Sequence, residues 1–156
     1  MNTKTYTVTE AKRKLEQYCV YQDRCYQEVI NKLKSMNMIP VVIDAIVTHL
    51  VEHNFLNEER FAKSFARGKF NVKHWGKQRI TRELKARNIS SYNIKSGLNE
   101  FSQDDYLTKL DTIALKKLDT ILEPNKYKKR KKLADYLLYR GWESHLVYDK
   151  IKELIP

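Results

Sequence analysis

Glycine, proline and cysteine are scarce in this chain, which has four Gly, three Pro and two Cys among 156 residues. Folds built from β-strands need Gly and Pro in their tight turns, so this scarcity argues against an all-β domain. No stretch shows convincing alternation of apolar and polar residues, whereas long polar stretches are rich in the helix formers Lys, Glu, Leu and Ala. The composition therefore predicts an all-α fold.

Long apolar runs and cysteine motifs are also missing. The longest apolar run, residues 36–47, is interrupted by Pro40 and Asp44 and is too short to cross a membrane. The first ten residues, MNTKTYTVTE, lack the apolar core of a secretory signal. Cys19 and Cys25 do not have CxxC spacing, so two reduced, packed thiols are expected. These features predict a cytoplasmic protein with no membrane partner.

Signatures of catalysis are absent as well. The sequence contains no Gly-rich phosphate loop, no GxSxG and no HExxH. His49 and His53 share a helix face but have no obvious third ligand, so a metal site is not expected. Asp104 and Asp105 suit the first turn of a helix better than a metal-binding pair. The chain is predicted to bind a partner without catalysis, metal or cofactor.

Positive charge is what the chain has in excess. Its formal net charge is +11, and between Arg60 and Lys95 eleven Lys or Arg residues accompany one acid, Glu83. This concentration favours a polyanionic partner, through counterion release on nucleic acid or attraction to an acidic surface. The alternative is a solvated basic surface with no partner. Helical spacing places two sets of cations opposite apolar residues: Arg60, Lys63 and Arg67 in the first, and Arg79, Arg82 and Lys85 in the second.

A second basic cluster lies near the start of a later helix. Its sequence, KYKKRKK, contains Lys126, Lys128, Lys129, Arg130, Lys131 and Lys132. Cations at a helix N-terminus interact unfavourably with the helix dipole, which hints at a use in binding. A solvated helix start explains the run equally well, so both interpretations stay open.

Trp75, beside Gly76, is interpreted as an anchor at a helix junction in preference to a stacking contact.

An internal repeat organises the helices. With Leu33, Leu84 and Leu137 aligned, five positions agree in three places: an aliphatic residue four before, the Leu itself, Asn or Gly four after, and large apolar residues five and ten after. The aligned residues are Val29, Ile80 and Leu133; Asn37, Asn88 and Gly141; Met38, Ile89 and Trp142; and Ile43, Ile94 and Val147. Asn and Gly tolerate the left-handed conformation that ends helices, so each unit contains a helix, a tight turn and a second helix.

A further helix precedes each pair, and its start has a capping residue: Thr7, Asn57 or Ser102. The sequence thus predicts three tandem three-helix units, at about 9–55, 57–101 and 103–156. We expect them to stack into one elongated, curved domain over residues 1–156, acting as a monomer. In the last unit, Leu107, Leu110, Ala114, Leu118 and Ile121 are predicted to form the apolar stripe of the first helix.

Four segments resemble the RecX family, regulators of the RecA recombinase: YCVYQDRCYQEVINKL, FLNEERFAKSFARGKF, WGKQRITRELKARNI and LADYLLYRGW. The first and second are similar to family members of the Bacteroidetes type. The resemblance runs from about Leu15 to Ile155, with Asn at positions 37 and 88 where relatives often have Gly. It implies tandem three-helix repeats and a regulator that binds in the groove of the RecA–DNA filament. Such binding would limit filament extension and RecA's ATPase, strand-exchange and coprotease activities in recombination and the SOS response.

The resemblance also implies a basic surface on the middle unit. It maps onto Arg60, Lys63, Arg67, Lys69, Lys73, Lys77, Arg79, Arg82 and Lys85. The alternative that charge alone permits is a helical repeat protein that binds single- or double-stranded DNA without sequence preference and acts on it directly. Which anions this surface contacts, phosphates or acidic RecA side chains, stays open on the sequence.

Overall fold

The computed structural model describes residues 5–156, and within that range it contains nine α-helices and no strand. The helices are α1 (Val8–Tyr21), α2 (Tyr26–Ser35), α3 (Pro40–Glu52), α4 (Glu58–Asn71), α5 (Lys77–Ala86), α6 (Ser91–Leu98), α7 (Gln103–Leu118), α8 (Lys126–Tyr139) and α9 (Ser144–Leu154). The predicted all-α fold is confirmed.

The first helix of each triplet begins at its predicted capping residue. The Thr7 side chain accepts a hydrogen bond from the amide of Glu10, 3.1 Å away. Asn57 and Ser102 accept in the same way from the amides three residues on, at 2.9 and 3.1 Å. Each bond satisfies an amide that the helix itself leaves without a partner. The start of each triplet is therefore encoded locally.

The middle helix of each triplet ends in the same backbone motif. Asn37, Asn88 and Gly141 have φ angles of 60°, 59° and 90°. The amide that follows each of them donates to the carbonyl five residues earlier: Met38 to Leu33, Ile89 to Leu84 and Trp142 to Leu137, at 3.1 to 3.3 Å. These are the bonds of a Schellman ending, in which a residue at positive φ reverses the chain. The repeat predicted from the sequence is thus present in the backbone.

The helices pack as three triplets, α1–α3, α4–α6 and α7–α9. The first triplet has its own core, around residues such as Leu15, Leu33 and Ile46. The other two triplets share one core, which also takes in Cys25 from the start of α2. The accessible surface, 9902 Å², exceeds the value of about 8,200 Å² that is typical of a compact globular protein of this mass. The division between the core of the first triplet and the core that the other two triplets share accounts for this extra surface.

Two aromatic side chains join the middle and last triplets. Tyr106 and Trp142 are fully buried and stack with ring centroids 4.4 Å apart. The Tyr106 hydroxyl accepts a hydrogen bond from the amide of Lys77, at 2.8 Å, and donates one to Glu143. Tyr106 therefore holds the start of α5 against the start of α9. The predicted stripe of α7 is wrong at Leu107, which is 37% exposed, because Tyr106 occupies the core.

Backbones meet directly at this junction. The amide of Gly76 donates to the carbonyl of Arg140, at 2.8 Å, and the amide of Gln78 donates to that of Gly141, at 3.0 Å. A Cβ at position 76 would lie 2.5 Å from the Gly141 carbonyl oxygen. Glycine is therefore required at position 76, because two backbone segments of the chain approach each other too closely there for a side chain.

Both cysteines are free, buried thiols, as predicted. Burial raises the pKa of Cys19 to about 11, so this thiol stays protonated near neutral pH. Across residues 5–156, no helix combines the length and the apolar character needed to cross a bilayer.

Candidate polyanion interface

Helix α5 is the centre of the basic surface. Ile80 and Leu84 are fully buried and fix its inner edge. Arg82 is two residues from each, so it lies on the opposite, solvent-exposed edge. The remaining cations of α5 fall on its two flanks, one facing α4 and the other facing α6.

On the α4 flank, Arg79 lies between two aromatic rings. The guanidinium carbon is 4.2 Å from the Trp75 ring centroid and 4.8 Å from that of Tyr139 in α8. Nη1 also donates to the Tyr139 carbonyl, at 3.2 Å. This arrangement fixes the guanidinium plane and leaves other N–H groups free to bind phosphate or carboxylate oxygens.

The contacts continue from Trp75 along α4. The Lys69 ammonium lies 4.9 Å from the Trp75 ring centroid and 5.4 Å from that of Phe65. The Phe65 ring meets Trp75 edge-on and carries the Arg87 guanidinium carbon 4.9 Å from its centroid. Three cations and three rings, Tyr139 included, therefore form one continuous row, which we call the cation–aromatic row: Arg87, Phe65, Lys69, Trp75, Arg79 and Tyr139.

On the other flank, Lys77 and Lys85 line an open groove between α5 and α6. Lys95 of α6 joins them, so three lysines surround the groove. The Lys77 ammonium lies 4.7 Å from the Tyr106 ring centroid. The groove and the cation–aromatic row are separated only by the exposed edge with Arg82. The two flanks and this edge present cations over more than half the circumference of α5.

Six of the nine predicted cations lack an acidic partner. Within residues 5–156, no carboxylate oxygen lies within 4.0 Å of the charged groups of Lys69, Lys73, Lys77, Arg79, Arg82 and Lys85. The like charges of such a set repel one another, and an anionic partner would relieve that repulsion. We call these six residues the free cation set.

The other three predicted cations, Arg60, Lys63 and Arg67, also lie on α4 and are instead paired. Arg60 Nε donates to Asp23 at 2.7 Å, and Nη2 donates to two backbone carbonyls, so this side chain ties α4 to the first triplet. Lys63 pairs with Glu59 at 3.2 Å, and Arg67 pairs with Glu100. These three cations therefore have less available charge than the free cation set.

The second basic cluster is also partly compensated. Lys131 pairs with Asp135 at 2.9 Å and Lys132 with Glu123 at 3.7 Å. Arg130 Nε donates to the carbonyl of Ile155, which fastens the end of the chain to α8. The remaining members, Lys126, Lys128 and Lys129, have no carboxylate within 4.0 Å among the described residues.

Sequence reasoning missed the aromatic half of the interface. Trp75, interpreted as a junction anchor, does pack partly buried against the shared core, but its ring also carries two cations, which the sequence interpretation did not include. Arg87 and Lys95 also belong to the two flanks and were left out of the predicted set. The spacing of residues 79, 83 and 87 was the available signal, because it places Arg87, which directly follows α5 and pairs with Glu83 at 3.0 Å, on the same flank as Arg79.

No grouping of three or more His, Cys, Asp or Glu side chains suited to a metal ion occurs in the described part of the chain. His49 Nε2 lies 2.8 Å from a Glu16 carboxylate oxygen. His53 Nδ1 lies 2.9 Å from the carbonyl oxygen of His49. Both histidines thus have partners within their own triplet.

Two family models match the sequence. Residues 57–98 match "RecX, second three-helix domain", and residues 104–151 match "RecX, third three-helix domain". "Regulatory protein RecX" of Serratia proteamaculans is 31% identical over 103 residues, which are 66% of this chain and 60% of the relative. The protein of the same name from Yersinia enterocolitica is 32% identical over the same shares. The matched region thus spans three fifths of the length of these relatives.

Solved structures share the fold along nearly the whole chain. The crystal structure of RecX from Lactobacillus salivarius superposes with a TM-score of 0.81 at 23% identity, covering 94% of this chain and 96% of that one. A second RecX crystal structure gives a TM-score of 0.80 at 21% identity and covers 93% and 74% of the two chains.

Proposed function

The chain belongs to the RecX family, and we propose on this basis that it regulates the RecA recombinase by binding the RecA–DNA filament. The observation that carries the proposal is the free cation set on α5 and its flanks, which offers charge without internal acidic partners. Binding there is noncovalent, and the protein acts as a regulator without a catalytic step. By occupying the filament it limits filament extension and, with it, RecA's ATPase, strand-exchange and coprotease activities.

The shape of the interface supports a polymeric partner. The cations follow a helix and a row of rings across two triplets, from Arg87 to Tyr139, and do not line a closed cavity. Ordered guanidinium planes suit repeated phosphates or surface carboxylates, which recur along a nucleoprotein filament. We propose that Lys69, Lys73, Lys77, Arg79, Arg82 and Lys85 make the direct contacts.

The paired cations have a different proposed role. Arg60, Lys63 and Arg67 add to the positive field that attracts the filament, while their charged groups remain bound to Asp23, Glu59 and Glu100. Lys126, Lys128 and Lys129 provide a secondary contact to DNA without sequence preference. The protein is proposed to act as a monomer in the cytoplasm, where RecA assembles on DNA.

The proposal is tested by single-stranded-DNA-dependent ATP hydrolysis by RecA. The protein is added at amounts too small to coat the DNA, and we expect hydrolysis to fall progressively, because one bound regulator blocks extension of a whole filament. An Arg82→Glu, Lys85→Glu double variant should need a higher concentration for the same inhibition. Lys34→Glu, an equivalent change for one exposed residue of α2, is the control and should behave like the wild type.

Inhibition that appears only when the DNA is coated would contradict the proposal. It would support the alternative in which the protein acts on nucleic acid directly. An unrelated DNA-dependent ATPase on the same strand separates the two cases, because masking of DNA would inhibit both enzymes equally.

A further inference from the structure

A further basic site, distinct from the second basic cluster, lies in a cleft between α7, α8 and the turn that joins α4 to α5. The cleft has a volume of about 450 Å³ and is lined by His74, Lys109, Thr112, Lys116, Lys117 and Tyr136, among others. Cavities of this size commonly hold small ligands. Neither the predicted basic surface nor the free cation set includes any of these residues.

The backbone around His74 is held firmly. Its φ angle is 58°, a conformation that non-glycine residues adopt rarely, and its carbonyl accepts a hydrogen bond from Trp142 Nε1 at 3.1 Å. The preceding carbonyl, of Lys73, accepts one from Arg140 Nη1 at 2.8 Å. These bonds from the last triplet fix the backbone of the turn that carries the imidazole.

One nitrogen of this ring is left without a partner. Nδ1 of His74 is buried, and no group in the described chain meets hydrogen-bond geometry with it. Buried polar atoms are nearly always hydrogen-bonded, and an atom that is not calls for a ligand, a water or an ion. A protonated imidazole would offer this nitrogen as a charged donor.

The cleft contains cations and no acid. Lys109, Lys116 and Lys117 line it from α7, and no Asp or Glu of the described residues does so. Lys116 and Lys117 lie in the last turn of α7, where the helix dipole already favours cations, so these two alone would not indicate a ligand. Lys109 lies two turns earlier and also lines the cleft. Its charge in the cleft is not explained by the dipole.

The α8 side adds a ring to the lining, Tyr136, and a cation next to that ring, Arg140, which directly follows α8. The Arg140 guanidinium carbon lies 4.5 Å from the Tyr136 ring centroid, and the Lys117 ammonium lies 4.9 Å from the same centroid. The Tyr136 ring thus orders a cation from each of the two helices. The result is a compact, partly enclosed concentration of positive charge beside an unpartnered imidazole nitrogen.

We propose that this cleft binds a phosphate-type oxyanion, with Lys109, Lys116 and His74 as its principal ligands. Its oxygens would accept hydrogen bonds from the two ammonium groups and from Nδ1 of His74. The oxyanion belongs to a small polyphosphate or to a phosphodiester of nucleic acid, which share this chemistry. The site is separate from the proposed contact with RecA and does not depend on it.

Binding at the cleft is coupled to a proton. Burial, followed by the charges of Lys109, Arg140 and Lys116, lowers the pKa of His74, and a hydrogen bond with the Phe70 backbone, the smallest of the causes, opposes this shift. The imidazole of the unliganded protein is therefore neutral near neutral pH. A bound oxyanion favours the charged imidazole, so its arrival raises the pKa of His74, and the affinity increases as the pH falls.

The test follows the imidazole Hε1 resonances by NMR during a pH titration of the full chain. Of the four histidines, His74 is assigned by its loss in His74→Gln. Titrations in sodium pyrophosphate and in sodium chloride at equal ionic strength are compared. We expect pyrophosphate to raise the His74 midpoint by about one pH unit and to leave the other histidines unchanged. Lys109→Gln and Lys116→Gln should each raise, by about tenfold, the pyrophosphate concentration needed to shift the His74 midpoint.

Lys34→Gln, which removes an equal charge from the first triplet, should leave the pyrophosphate effect as in the wild type. The proposal is overturned if the His74 midpoint is the same in both salts. The proposal is also overturned if pyrophosphate moves the His74 midpoint equally in the wild type and in both lysine variants, since an equal shift would mean that the salt only screens the charges of the protein. A short oligothymidylate in place of pyrophosphate identifies the source. A shift with both ligands indicates a phosphodiester site, and a shift with pyrophosphate alone indicates a small polyphosphate.

Discussion

Arg79 and Arg82 lie on the same helix, but only Arg79 is held by neighbouring groups. Its guanidinium is stacked between Trp75 and Tyr139 and donates to the Tyr139 carbonyl. Arg82 is exposed, and its side chain makes no hydrogen bond, ion pair or cation–aromatic contact within residues 5–156. Helical spacing alone places both side chains opposite the buried residues of α5 and does not distinguish them. We therefore expect Arg79→Gln to lower the free energy of unfolding more than Arg82→Gln does. Both substitutions should weaken binding to single-stranded DNA to a similar extent.

The stability difference follows from the contacts that each change removes. Two cation–aromatic contacts at a half-exposed site contribute about 0.5–1 kcal/mol each. A hydrogen bond from a charged donor contributes about 1 kcal/mol when one partner stays partly hydrated. Arg79→Gln should therefore destabilise the protein by about 2 kcal/mol, which for a chain of this length lowers Tm by about 4–8 °C. Arg82→Gln should change the free energy of unfolding by less than about 0.5 kcal/mol.

Thermal unfolding followed by circular dichroism measures the stability of each variant. Fluorescence anisotropy with a labelled single-stranded oligonucleotide over a range of NaCl concentrations measures its binding to DNA. Each phosphate contact that is lost should reduce the slope of log K against log[salt] by about 0.7. We expect that reduction in both variants, and none in Lys34→Gln.

Equal destabilisation by the two substitutions would refute the assignment of stacking energy to Arg79, as would an unchanged Tm for Arg79→Gln. An unchanged salt slope in both variants would show that α5 is not the surface that contacts phosphates. These outcomes are independent of each other, because the stability measurement needs no ligand.

Two further substitutions test the junction between the middle and last triplets. Tyr106→Phe should destabilise the protein by about 1–3 kcal/mol, because the amide of Lys77 loses its acceptor and Glu143 loses its donor in a buried setting. Chemical denaturation measures this loss, and a cost below the error of that experiment would show that water replaces the hydroxyl. Gly141→Ala should cost about 2–4 kcal/mol, because an added methyl group at φ 90° would overlap α5. Gly68→Ala, where a Cβ meets nothing within 4 Å, is the control and should stabilise α4 by about 0.5–1 kcal/mol; equal effects of the two glycine substitutions would contradict the close approach.

The helices and their ends could be predicted from the sequence because their signals are local. A capping side chain reaches an amide three residues away, and the bonds that close α2, α5 and α8 span at most five residues. Asn37 and Asn88 can therefore be recognised as left-handed positions by their spacing from a buried Leu. The repeat follows from the same local rules applied three times.

The apolar stripe of α7 shows where this local reasoning stops. Leu107 is more apolar than Tyr106, so periodicity favoured it for the core. Tyr106 is nevertheless the buried residue, because Trp142 supplies a ring to stack on and Glu143 accepts a hydrogen bond from its hydroxyl. Neither partner lies within thirty residues of Tyr106 in the sequence.

The sequence by itself determined that the protein is helical, repeated and strongly basic in its middle unit. The tertiary structure decided which cations are available. Arg60 meets Asp23 across 37 residues, and Arg67 meets Glu100 across 33, so their charge is compensated by acids that local pattern cannot pair with them. Arg79 meets the backbone of Tyr139 across 60 residues. Charge is a property of composition, but its compensation depends on distance in space, and only the packing of the triplets sets that distance.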